Sequence, residues 1–391
     1  MTSNEPVARR DMTPGFAIPA AVFVIVIVSL LALSGLYVAR NNAMANTGLR
    51  YSMKALYAAD AGAMIEIARW DRAATRNLDP GDSLVHAWQE LPDGGRYQTS
   101  ILRVDDGLDP YAALYRVRTT GRPAAGITAQ RVVTTMVQVD KVNGLCCDSA
   151  IKTQGQIRIL GTADGVKISG LDTVPEAMAG VCPALPEDVP GLLIKDEDAL
   201  HITGQPIIQG DPPVLEDPSI MPEDFSQFGD VSYEELARSA DKRLPPGEVF
   251  TNIEPEVSGG ACVESSLTNW GDPRNPDSAC FEYLPIIHVS GDLKLSGNGY
   301  GQGILLVDGD LEVTGTFEFS GVVVALGEAD FRGTTTINGG ILVRNGVDAG
   351  DEAYLRGGTT LQYSSCSASR AIAHAVVAHP LAGRHWFEVV E

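Results

Sequence analysis

Between residues 16 and 38 the chain reads FAIPAAVFVIVIVSLLALSGLYV, 23 residues without a charge. A helix rises about 1.5 Å per residue, so this run spans roughly 35 Å, enough for the hydrocarbon core of a bilayer with some tilt. Pro19 falls in the first turn, where the backbone N–H groups have no partner inside the helix and a missing donor costs little. A cleaved secretory signal has an apolar region of only about 7–15 residues. This one is longer, although Ala43-Met44-Ala45 supplies an A-x-A site with a cut after Ala45. A plain signal anchor fits the length. Flanking charge does not set the orientation, because Arg9 and Arg10 precede the run while Arg40, Arg50 and Lys54 follow it.

A third reading comes from the junction before the run. A short basic leader that ends in Gly15, followed by Phe16 and an uninterrupted apolar helix, resembles the type IV prepilin family. The resemblance implies a leader of residues 1–15, a cut between Gly15 and Phe16 by a prepilin peptidase on the cytoplasmic face, and methylation of the new N-terminal Phe16. Most members of the family carry Glu at the fifth mature position, where it is thought to pair with the amine of a neighbouring subunit; here that position is Ala20. An intramembrane charge without its partner is expensive. Ala20 therefore argues against a bulk-packing major pilin and for a minor subunit at a tip or in an assembly-priming complex.

No proline interrupts residues 20–79. The helix is expected to run over 16–72, about 85 Å, with 16–38 in the membrane, and two separate helices are the alternative. Leu49, Met53, Leu56, Tyr57, Met64, Ile65 and Ala68 recur at helical spacing and predict an apolar stripe that packs on a head domain. Within this stretch, Tyr57-Ala58-Ala59-Asp60-Ala61-Gly62 resembles the Y-A-A-E-A-G signature of PilX-type pilus assembly proteins, with Asp60 in the acidic place. Its small residues permit close helix packing; a purely structural use fits equally well.

Three alternating runs follow, at 95–105, 111–120 and 130–140, each rich in Val, Ile, Tyr and Thr and bounded by Gly, Pro or Asp. They predict a small antiparallel sheet over 73–140, packed on the second half of the helix. Helix then sheet is an α+β order, and it is the layout of the pilin head.

The remainder, 141–391, carries an internal repeat. The pattern G-x-φ-x-φ-x-G, with φ apolar, occurs at 155–161, 291–297, 309–315 and 327–333, and more weakly at 198–204. The last three glycine-led copies start 18 residues apart, and Ile304-Leu305-Leu306-Val307 matches Val322-Val323-Val324-Ala325 at the same offset. Short strands at such a period with glycine corners predict a glycine-rich β-solenoid-like all-β domain, with a β-sandwich as the alternative. Alternation turns Leu293, Leu295, Leu311, Val313 and Phe331 inward. The PilX resemblance extends to such a glycine-rich C-terminal region. A decorated, Pro-rich acidic insertion is expected at about 211–283, and Ser232 to Glu235 form a capping box opening a helix to about Arg243.

The wider stretch 171–260 holds 19 acidic and four basic residues, and so supplies most of the net charge of −21. Such a balance disfavours nucleic acid and anionic membrane surfaces as partners, because both repel it, and suits a soluble exported head. The even number of cysteines in an exported chain predicts disulfides, with free buried thiols as the alternative. Cys262 and Cys280 flank one loop and form a favoured pair; Cys146 and Cys147 are adjacent and are expected to take different partners; Cys182 and Cys366 complete the set. No nucleophile elbow, phosphate loop or H-E-x-x-H is present. His374, His379 and His385 do not share a helical face, and Asp196-Glu197-Asp198 lacks the spacing of a calcium loop. No cofactor, metal or catalytic residue is expected.

The reading is thus a non-enzymatic minor pilin or pseudopilin, anchored in a bacterial inner membrane with its head in the periplasm or, in a pilus, outside the cell. Its partners would be other pilin subunits and the assembly machinery, with an unspecified surface ligand for the head. The alternatives are a membrane-anchored carbohydrate-active enzyme using Asp308 and Asp310, which flank Gly309, and a secreted adhesin.

Overall fold

The computed structural model describes residues 17–75, 78–104, 113–124, 129–142, 144–145, 147–161, 165–182, 187–229, 231–349, 358–381 and 386–389. Gly15, Phe16, Cys146 and His385 lie outside them. One helix, Ala17–Ala68, carries the apolar run and continues beyond it. Its 52 residues give a length of roughly 78 Å. The expected end at residue 72 divides into this helix and a separate short turn, Arg72–Thr75.

The helix has two regimes. Residues 18–50 are exposed throughout, whereas Ala55, Ala58, Ala59, Gly62, Ala63 and Ile67 are buried. What buries them is an antiparallel sheet with strands in the order Ser83–Val85, Arg96–Arg103, Ala113–Arg122, Arg131–Lys141 and Val376–Pro380. The three central strands are those the alternating runs predict. Their inner faces bury Tyr97, Thr99, Ile101, Tyr115, Val117, Thr119, Val137 and Val139, as period-2 alternation requires. Thr99 and Thr119 pair their buried hydroxyls at 3.2 Å.

The boundary expected at residue 141 differs from the structure in one respect. Val376–Pro380 and Trp386–Val389 both pair with Arg131–Lys141, so the end of the chain returns to the first sheet. Val142 N–H donates to Ala375 C=O at 3.1 Å. Everything between is therefore an insertion between two adjacent antiparallel strands. Sequence alternation marks a strand but not its distant partner, which is why this closure was not legible.

The inserted region is β-rich and dominated by one large sheet whose pairings are parallel. Leu293–Val307, Thr316–Ala325 and Thr334–Val343 stack in register at the 18-residue offset of the repeat, Asn298 opposite Thr316 and Thr316 opposite Thr334. All five repeat copies lie in one lane of this sheet. Two further strands join the lane, Gly346–Ala349 and Val249–Ile253, which the glycine pattern missed. Leu293, Leu295, Leu311, Val313 and Phe331 are buried as expected. At Gly321 the strand bends with φ at +143°, and a Cβ there would stand 2.0 Å from the Gly303 carbonyl oxygen; the stacking leaves no room for one.

The chain does not traverse the sheet in order. Segment 151–216 enters first and occupies one end, against Thr334–Val343, Gly346–Ala349 and Thr359–Tyr363. The chain then crosses to the far end, where Lys242–Leu244 and Val249–Ile253 begin the run that returns to meet it. The expected insertion at 211–283 is accordingly not one loop, since Val214–Glu216, Lys242–Leu244 and Val249–Ile253 all pair in the parallel sheet. Runs such as Ile304-Leu305-Leu306-Val307 are apolar at every position because both faces are covered. Ser365–Ala373 and Tyr233–Arg238 pack on the outer face, against Ile304, Leu306, Val322 and Val324.

The capping box forms: Glu235 N–H donates to Ser232 Oγ at 3.2 Å and Ser232 N–H to Glu235 Oε2 at 2.9 Å. Its helix stops at Arg238, earlier than expected, because Arg243 is needed in a strand. Cys262–Cys280 is bonded as expected, and Cys182–Cys366 ties the loop after Val166–Ser169 to the helix Ser365–Ala373. Cys147 is disulfide-bonded too. Its partner is none of these four, and the pairing expected of Cys146 lies outside the described residues.

Candidate functional site

The helix surface is the first candidate. Of the six motif residues, Ala58, Ala59 and Gly62 turn inward to the antiparallel sheet. Gly62 lies so close to Tyr97 that a Cβ would stand 2.4 Å from the ring. From the sheet side, a Cβ on Gly121 would stand 2.2 Å from the Ala55 carbonyl oxygen. The small residues thus serve helix-on-sheet packing within the chain. Tyr57 points outward, 63% exposed, with Asp60 and Ala61 half-buried beside it.

The expected packing stripe is the reverse of what forms. Leu49, Met53, Tyr57, Met64 and Ala68 are exposed, while the alanine and glycine face makes the contact. The reason is distance: a flat sheet approaches a helix most closely over residues with no side chain to displace. Most of the large apolar side chains stay on the outer surface, on the same helix as the exposed segment 18–50, which includes Ala20 and is uncharged up to Ala39. By length and composition this is the one helix among the described residues able to cross a membrane.

At the lower end of the helix, Glu66 is buried and bonded to His86 Nδ1 at 2.8 Å. Trp70 and Tyr115 meet edge-on at 5.1 Å, and Tyr115 donates to the Thr75 carbonyl at 3.2 Å. Arg72 reaches across to Asp241 and to the His374 carbonyl, tying the first unit to the inserted one.

The second candidate is a cavity of about 420 Å³ on the outer face of the parallel sheet. Asp308 Oδ1 accepts from Tyr233 Oη and from His288 Nε2, both at 2.9 Å. Burial, then the Asp308 carboxylate, push the Tyr233 phenol well above its usual range, so it stays protonated and donating. Asp310, considered with Asp308 as a paired acid, serves a different purpose. Its carboxylate accepts from Glu328 N–H at 2.8 Å, one repeat away. Asp292 does the same for Asp310 N–H at 2.9 Å. These carboxylates form a ladder of turn caps along the stack.

Other charged groups singled out by sequence have local partners. Asp196 Oδ1 accepts from Asp198 N–H at 2.9 Å as a helix cap. His374 Nδ1 contacts the Arg370 carbonyl at 2.8 Å, and His379 pairs with Asp140 at 3.3 Å. Among the described residues no three potential ligands cluster to hold a metal. Sequence reasoning missed Lys242, which is buried beneath the Cys262–Cys280 loop and donates to the carbonyls of Glu264 at 2.8 Å and Ser266 at 2.6 Å. Desolvation lowers its ammonium to about 8.

No family model matches the chain, and no curated protein matches it. Among solved structures, the competence-associated pilin ComZ from Thermus thermophilus aligns over 88% of this chain and 98% of its own, at 12% identity and a TM-score of 0.23. A score that low carries no argument about this chain.

Proposed function

We propose that this protein is a non-enzymatic minor pilin-like subunit of the PilX type, acting in the assembly, priming or tip decoration of a type IV pilus-like filament. The observation that carries the reading is the surface of the long helix. Residues 18–39 are bare and uncharged on every side, and the second half keeps Leu49, Met53 and Tyr57 outward while burying only alanine, glycine and a few larger residues on its own head. A lone membrane anchor has no use for an apolar face that continues beyond the bilayer; a helix that packs beside other helices does. The Gly15-Phe16 junction and the YAADAG motif support the same reading. Ala20, uncharged within the span, suits a minor rather than a bulk subunit. The parallel sheet is read as a β-solenoid-like shaft that carries the outer face of the head, periplasmic before assembly and extracellular after it.

The mature N-terminus tests this. Mass spectrometry of protein from membranes and sheared filaments is expected to find a chain beginning at methylated Phe16. A chain starting at Asn46 overturns the reading in favour of secretion, and an intact leader overturns it in favour of a plain anchored protein.

A further inference from the structure

Segment 171–260 contains only four basic residues, and its two arginines, Arg238 and Arg243, stand at the mouth of the same cavity. Beneath them lies the Tyr233–Asp308–His288 cluster. Asp308 Oδ1 is occupied by its two donors, which leaves Oδ2 as an acceptor. Tyr233 Oη and Ser290 Oγ, which line the same cavity, have lone pairs to accept with. Leu244 and Ala237 give the cavity one apolar side. The volume of about 420 Å³ falls within the range of small-molecule sites.

We infer that this cavity binds an acidic sugar, a hexuronate unit at the end of or within a glycan, with Arg238 and Arg243 on the carboxylate and Asp308, Tyr233 and Ser290 on ring hydroxyls. Three features select this class. Arginine forks match a planar carboxylate. Asp308 Oδ2, Tyr233 Oη and Ser290 Oγ offer three separate acceptors, which the several hydroxyls of one sugar ring can meet together. The two arginines are balanced by Glu234 and Asp308, so a bare anion gains little net attraction and polar recognition of the rest of the ligand is required. A neighbouring cavity of about 300 Å³ shares both arginines and gives the glycan a direction in which to continue. The site is on the inserted domain and does not depend on the filament role.

The test is titration of the full chain, held in a detergent without sugar groups, with glucuronate, glucose, acetate and glycine, followed by calorimetry and saturation-transfer NMR. Glucuronate is expected to bind saturably, with glucose and acetate each weaker by about tenfold or more. The doubly substituted Arg238→Ala, Arg243→Ala protein should fall to the glucose level, and Asp308→Asn should weaken glucuronate while leaving acetate unchanged. Arg332→Ala, elsewhere on the sheet, should bind as the unaltered protein does. Both arginines are exposed, so the double variant is expected to keep its thermal midpoint; should it not, Arg243→Gln alone decides the matter by the same reading. No saturable response to glucuronate, an equal response to acetate or to glycine, or full binding by the folded arginine variant overturns the inference.

Discussion

Gly121 is where the antiparallel sheet touches the helix most closely. A Cβ there would stand 2.2 Å from the Ala55 carbonyl oxygen and 2.3 Å from the Ala59 nitrogen, and neither backbone can move without moving the helix. Gly121→Val is expected to destabilise the protein by about 2–4 kcal/mol, read as a fall in the denaturation midpoint. Gly62→Ala should cost less, since the atoms in its way belong to the Tyr97 ring. Gly62 was visible in sequence because it closes a motif; Gly121 was not, because its partner is a helix about 60 residues earlier whose register no pattern reveals. Lys242 yields a pH prediction. Its ammonium has a folded-state value near 8 against 10.5 for the free group, so the native state releases its proton first as pH rises. The desolvation penalty is fully present below pH 8 and fades between 8 and 10.5, so stability increases with pH across that window. Denaturation of the unaltered protein between about pH 7.5 and 10 should show a gain of about 2 kcal/mol that Lys242→Met lacks. Equal slopes for the two proteins would show that the buried group does not titrate there.

At the level of elements, sequence periodicity found the helix and the three central strands but turned the helix the wrong way. It weighed large apolar residues as core formers, whereas the sheet selected Ala58, Ala59, Gly62 and Ala63 because they permit contact of backbone with backbone. This inversion makes the outward face testable. Leu49 is 63% and Met53 46% exposed, so Leu49→Asp with Met53→Asp should leave the stability of the isolated subunit within about 0.5 kcal/mol. If the proposed filament role holds, the same pair should abolish recovery of the protein in sheared filaments, because two carboxylates at a helix–helix contact would be desolvated and unpaired. Normal incorporation of a stable double variant would remove the helix face from the assembly surface. In the parallel sheet the period of 18 residues was legible because identical register recurs at each turn. Val249–Ile253 and Gly346–Ala349 escaped because their lane positions follow from stacking and carry no full glycine signature. The sugar cavity was half-legible: Asp308 stood out as one of a pair, but Tyr233, His288 and the two arginines reach it from segments that only the stack brings together.

The whole molecule is a small helix-and-sheet unit with a much larger β-rich domain spliced into one hairpin. The nucleus of the small unit consists of Ile67, Trp70, Ile101, Ala113, Tyr115, Val117, Val137, Val139 and Val376, none of which lies within 143–374. The two ends of the insertion are already joined by the bond from Val142 N–H to Ala375 C=O, and Val376 stands opposite Lys141. Replacing 143–374 by an Asn-Gly turn should therefore close a normal antiparallel hairpin and leave a protein that keeps the long helix packed on its sheet and unfolds cooperatively. Some stability must be lost, because Arg72 gives up Asp241 and the His374 carbonyl, and Val142 and Val377 lose the cluster they share with the inserted domain. Exposed single ion pairs contribute little, so the main loss is the apolar joint. Limited proteolysis and thermal melts of the excised protein decide the matter. A cooperative transition with a protected 17–142 fragment would establish the inserted domain as an addition to a self-sufficient anchor unit. A protein that is digested throughout would show instead that the two sheets fold as one body, and that the parallel sheet holds the hairpin closed rather than merely hanging from it.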